Sequence, residues 1–237
     1  GCGSTAASPV SSAASTAAES TTSSVVSEAT SAAADENAAA AAQLLNDLTG
    51  SYQELWPVIL ADEYKQTWLD DCTALVGEDN AEAAFEKLSS MVTGDVYGED
   101  AVKAYANGGG AYFCGFTNDL ATLTFDGETS TISGTDKDGN ELFSHPYHYI
   151  GMEPVRGLYE FESDDADSGE FTYFFLAPDT SAETYHIEFR YGSDADALSQ
   201  YDAGDYAYWL ASGISTDCDQ TMIDNCIELF CTENLAG

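Results

Sequence analysis

Between about residue 112 and Gly192 the chain alternates apolar and polar positions one by one. The stretches that do so are "AYFCGFT", "LATLTFDG", "TSTISGTDKDGNELFSHPYHYIG", "GLYEFESDD", "GEFTYFFLAP" and "TYHIEFRYG". Successive side chains of a strand point to opposite faces, so each stretch predicts a strand with a buried side. "DGE", "KDGN" and "DADSGE" supply the turns. About six to eight antiparallel strands in succession predict a meander that closes into a barrel or sandwich.

On either side of the meander the period is helical. "ADENAAAAAQLLNDLTG" predicts a helix, with Asp35 and Glu36 favouring its start and Gly50 its stop. "SYQELWPVIL" places Tyr52, Leu55, Trp56, Ile59 and Leu60 at helical spacing, with Pro57 as a kink or break. "DEYKQTWLDDCTALV" and "DNAEAAFEKLSSMVTG" predict amphipathic helices, and "GEDAVKAYANGGG" a short one stopped by glycines. After Gly192, "DADALSQYDAG" and "TDCDQTMIDNCIELFCTEN" read as helices. In the second, Met222, Ile223, Cys226, Ile227 and Phe230 form one stripe, and Ser215 or Thr216 is placed to cap its start. Helices, meander, helices make one α+β domain, residues 46–237, behind a Ser/Thr/Ala-rich tether, residues 1–45, with a helical end.

Charge narrows the partners. The 237 residues carry 42 acidic and 6 basic side chains, a net charge of -36. Phosphate binding needs clustered Lys and Arg, so no nucleic-acid partner is expected. An anionic membrane surface would be repelled and cations attracted. No run of about 18 apolar residues predicts a membrane-spanning helix. The opening "GCGSTAASPVSS" nevertheless looks like the site where a bacterial lipoprotein signal is cut. On that reading Cys2 is lipidated and the protein is held at an extracytoplasmic or cell-surface location by a lipid anchor only. Cys72, Cys114, Cys218, Cys226 and Cys231 remain, an odd number with no CxxC pair. One bridge involving the C-terminal segment is expected, its connectivity unreadable from sequence.

Catalytic patterns are missing. There is no GxSxG elbow, P-loop or dinucleotide fingerprint, and no enzymatic activity is expected. "TDKDGNE" at 135–141 resembles part of a calcium loop but lacks the spaced ligands of an EF-hand, so a hairpin turn is expected there. Of the three histidines, His145 and His148 are three apart and should point to opposite faces of a strand. His186 and Glu188 are two apart and share a face, so an imidazole nitrogen and a carboxylate oxygen converge.

Longer segments carry a resemblance. "LTGSYQELWPVILAD", "YHYIG", "PVRGLYEFES", "GEFTYFFLAP", "HIEFRYGSD" and "ALSQYDAGDYAYWLASGIS" follow, in order and spacing, the segments of the ZinT (YodA) family. That family is a lipocalin-like calycin: an antiparallel β-barrel flanked by N-terminal and C-terminal helices. The resemblance implies zinc as the cofactor, other divalent cations being compatible. It also implies a role in buffering the metal or handing it to a metal-uptake transporter. Counting back from Gly192, the family's His-x-His falls on His186 and Glu188. Its third histidine, counted back from Ala177, falls on Phe174, which cannot bind metal. Glu183 or Asp179 from the longer loop before His186, or His148, would take its place. If none does, the barrel is a surface module with a decayed site, and Tyr173, Phe174, Phe175 and Tyr185 either line a pocket for a small apolar ligand or pack as core, a protein partner being the other occupant.

Overall fold

Gly50 begins the first strand where the sequence pattern predicts a helix. The computed structural model describes residues 37–92, 112–178 and 186–236. Gly50–Glu54 is strand β1, and the helix that follows it, α2, runs only from Leu55 to Ile59 with Pro57 in its first turn. Pro is tolerated there because those first N–H groups have no helical partner. Tyr52, placed at helical spacing by the sequence, instead points into the sheet and is buried.

The order is α1 (37–48), β1, α2, α3 (Lys65–Val76), α4 (Glu78–Ser90), β2 (Thr122–Asp126), β3 (Thr131–Thr135), β4 (Glu141–Met152), β5 (Tyr159–Ser163), β6 (Tyr173–Leu176), β7 (His186–Gly192), α5 (Ala195–Leu198), β8 (Ala211–Ser215) and α6 (Gln220–Leu235). Each strand pairs antiparallel with the next, and β8 pairs back onto β1, so the eight strands close into a barrel. Closure removes the exposed sheet edges that invite aggregation. The stretch "AYFCGFT" contributes only an isolated bridge, Phe113 to Trp209. "GEDAVKAYANGGG" falls outside the described residues.

The barrel interior is aromatic. Leu123 and Phe125, Ile132, Phe143 and Tyr147, Phe161, Phe174, and then Ile187, Phe189 and Tyr191 come from successive strands into one cluster. Helix α1 covers this cluster with Ala41, Leu44, Leu45 and Leu48, spaced to lie on one face. Helix α1 thus packs into the same core as the barrel. The approach is close: a Cβ on Gly127 would lie 2.4 Å from the backbone of Asn46. The turn at 136–140 is a hairpin. Asp136 accepts the N–H groups of Asp138 and Asn140, each at 2.9 Å, and these bonds hold its carboxyl below the usual range.

A second cluster lies outside the sheet. Helices α2, α3, α4 and α6 pack Leu55, Trp56, Ile59, Trp68, Cys72, Leu88, Ile227 and Phe230 over Ile214 of β8. The Trp68 indole donates to the Ile59 carbonyl at 2.7 Å, and Phe230 lies 4.6 Å from Trp56 between ring centres. The start of α6 is capped by Asp219, whose side chain accepts from the Met222 N–H, and not by Ser215 or Thr216.

Candidate metal centre

Strand β7 has two covered faces. Ile187, Phe189 and Tyr191 enter the barrel, so His186, Glu188 and Arg190 point outward. His186 stands opposite Ile214 and Glu188 opposite Ser212 on β8. The helical layer closes over this face, with the Phe230 ring of α6 edge-on to His186 at 5.6 Å.

His186 Nε2 and Glu188 Oε1 are 3.6 Å apart, with side chains only 13% and 11% exposed. The sequence expectation that this pair shares a face is met. The second Glu188 oxygen, Oε2, is buried without a hydrogen-bond partner, and so is the Oγ of Ser212 on the facing strand. Directly opposed residues hold their Cβ atoms about 5 Å apart, so both orphaned oxygens belong to one small region. An unpartnered buried polar atom costs about 1–3 kcal/mol, and a carboxylate costs more. A cation bound between nitrogen and oxygen donors relieves that cost, and imidazole with carboxylate is a donor set zinc accepts. The residues present thus fit a divalent ion as a partial shell. Among the described residues no three His, Cys, Asp or Glu side chains gather as a metal site. Ser212 is the polar group beside the pair that sequence reasoning missed. Only the β7–β8 register reveals it, because a lone serine in "LASGIS" carries no local signal.

The remaining expected ligands fall elsewhere. His148 sits on β4, opposite Glu162, half exposed and bonded to Asp164. Strand β4 is not a neighbour of β7 in the barrel, so His148 does not join His186. His145 lies on the other face of β4, near Phe143 and Tyr147, with Nδ1 2.8 Å from Asp165. Asp179, Glu183, Tyr185 and Cys2 lie outside the described residues.

Phe174 corrects the ligand set that the resemblance implies. It pairs with Tyr191 across β6 and β7, so it shares the interior face and not that of His186. Its ring is fully buried, 5.2 Å from Tyr191 and 5.6 Å from Phe143. Positions 174, 186 and 188 therefore cannot meet at one ion. Phe174 is fully buried inside the barrel and Phe175, which pairs with Arg190, is fully buried on the outer face, so both rings pack as core.

Beside Glu188 on the outer face, Arg190 anchors the segment between β7 and β8. Its guanidinium donates to the carbonyls of Leu198, Gln200 and Tyr206 and lies 4.2 Å from the Tyr201 ring centre. Burial draws its pKa below the ordinary arginine value. On the same outer surface, across Phe175 from Arg190, burial and the Glu153 carboxylate push Glu160 up to about 7.

By its topology the chain is a closed, up-and-down, lipocalin-like barrel with helices at both ends. No protein-family model and no curated protein matches the sequence. Among solved structures it is similar to the Zn(II)-bound ZinT-like domain of AdcA from Streptococcus pneumoniae, with TM-score 0.49 and 15% identity over 78% of this chain and 89% of that one. It is also similar to Zn(II)-bound AdcA from Streptococcus pneumoniae, with TM-score 0.47 and 13% identity over 79% of this chain and 35% of that one.

Proposed function

We propose that this protein binds a divalent metal ion, zinc first, through His186 Nε2 and the Glu188 carboxylate on the outer face of β7. The observation that carries the reading is the buried Glu188 oxygen left without a partner beside His186 and opposite the equally unpartnered Ser212 hydroxyl. Glu183 is three residues before His186, within about 10 Å of chain, and is the further ligand this proposal assigns. When bound, the ion supplies positive charge that satisfies the buried carboxylate. His186 provides a neutral nitrogen, and the helical layer excludes water from the pair.

The site is tested by calorimetric titration of the full chain, stripped with chelator, with zinc at neutral pH. One-to-one binding is expected, weakened more than about tenfold, or about 1.4 kcal/mol, by His186→Ala and by Glu188→Gln. His148→Ala should leave it unchanged. Affinity should fall in acid, because protonated imidazole cannot ligate. Equal affinities in all four proteins would place the binding elsewhere.

The same proposal sets the protein outside the cytoplasm, anchored by lipid on Cys2, where it buffers the metal or passes it to an uptake transporter. The Gly-Cys start and the Ser/Thr/Ala-rich stretch support this, and the net charge of -36 would concentrate cations at the surface. No helix among the described residues is long and apolar enough to cross a membrane. Cys114 is disulfide-bonded, with none of Cys72, Cys218, Cys226 and Cys231 as its partner. Mass spectrometry of the N-terminal peptide from membranes should find diacylglyceryl-Cys2. A Cys2–Cys114 bridge there would end the anchor reading.

A further inference from the structure

Cys72 and Cys231 lie 159 positions apart in the chain, yet their sulfurs approach to 3.9 Å. Both residues are fully buried. Cys72 is on α3, one turn after Trp68, on the face that packs against α6. Cys231 follows Phe230, the residue that touches both Trp56 and His186. Each thiol is the other's hydrogen-bond partner, and thiols make only weak bonds of that kind. The geometry points to a different use: we propose that Cys72 and Cys231 form an intrachain disulfide that staples α3 to the last helix, α6.

Bond formation requires the sulfurs to close from 3.9 Å to about 2.05 Å, a movement within reach of side-chain rotation and a small shift of the α6 end. The reaction is an exchange with an external disulfide oxidant. The thiolate of one cysteine attacks the oxidant's disulfide, forming a mixed disulfide and releasing one thiol. The second cysteine gives up its proton and displaces the oxidant's remaining sulfur. The pair loses two protons and two electrons, and the oxidant's disulfide becomes two thiols. Burial raises both thiol pKa values, so the folded dithiol reacts slowly. The exchange belongs to folding, before α3 and α6 close over the pair.

The bond encloses strands β2 to β8 within its loop, and a long loop gains the most from cross-linking in the chain-entropy description. It also fixes Phe230 in place above His186, whether or not His186 holds a metal.

The test is to refold the full chain in a mixture of oxidised and reduced glutathione, block free thiols, and map peptides without reduction. A linked Cys72–Cys231 peptide, two mass units lighter than the sum of its parts, is expected. Reduction should then lower the melting temperature by roughly 10 °C more in the wild type than in Cys72→Ala. Circular dichroism of Cys72→Ala and Cys231→Ala checks that each still folds. Blocked thiols at both positions, or a bridge joining either residue to another cysteine, would overturn the assignment.

Discussion

Phe174→Ala is expected to lower the stability of the barrel by about 4 kcal/mol, read as a shift of the denaturant midpoint at unchanged slope. The ring is fully buried and packs among Phe143, Tyr147, Phe189 and Tyr191, with centroids 5.2 to 6.4 Å away. Alanine leaves a cavity that these large rings cannot fill by small shifts, because β4 and β7 hold them in place. Phe174→His makes a sharper test. The resemblance places a metal-binding histidine at this position, whereas the strand pairing places it inside the barrel. The imidazole would be buried among aromatic rings, destabilising the protein by about 2–3 kcal/mol, and zinc affinity would not rise. A histidine at 174 that tightened zinc binding would mean that the faces of β6 and β7 are assigned wrongly.

The second large effect is expected at Arg190. Arg190→Met removes a guanidinium that holds three backbone carbonyls in the segment from α5 to Tyr206. Replacing a buried ion pair with apolar groups is often neutral, because both polar partners leave together. Here the acceptors are backbone and stay behind, unpartnered. Each orphaned carbonyl costs about 1–3 kcal/mol, and the stacking on Tyr201 is lost as well. Against this stands relief from burying a charge, so a net loss of about 3 kcal/mol is expected, or roughly 6–12 °C in melting temperature for a chain of this size. Arg190→Lys should recover little, since one ammonium cannot span three acceptors as the planar fork does. A melting temperature unchanged in Arg190→Met would show that the segment before β8 is held by its own packing.

Both predictions turn on which side of a strand a residue occupies, and that is where reading the sequence stopped. The meander was legible because strand alternation and turn residues are local signals. β2 to β7 each appear in the chain as a short alternating run bounded by Gly, Asp or Asn. The helices α3, α4 and α6 were legible from their apolar spacing. So was the partnership of His186 with Glu188, which needs only the two-residue period of a strand.

The strands that close the barrel were not legible in this way. β1 is five residues with Tyr52 as its one large apolar side chain, and "ASGIS" of β8 is nearly featureless. They become strands because each finds partners on both sides, and those partners are distant in sequence. The inward face of β7 was equally hidden, since "YHIEFRYG" is covered by the barrel core on one side and by helices on the other. Alternation then says that two faces differ but not which one is interior. Local patterning along the chain suffices for an acidic α+β protein with a strand meander and a His–Glu pair on one strand face. Tertiary structure alone decided that the pair lies outside the barrel beside Ser212, that Phe174 is core, and that Cys72 meets Cys231. Each of those depends on contacts between residues far apart in the chain, whose closure only the complete packing can stabilise.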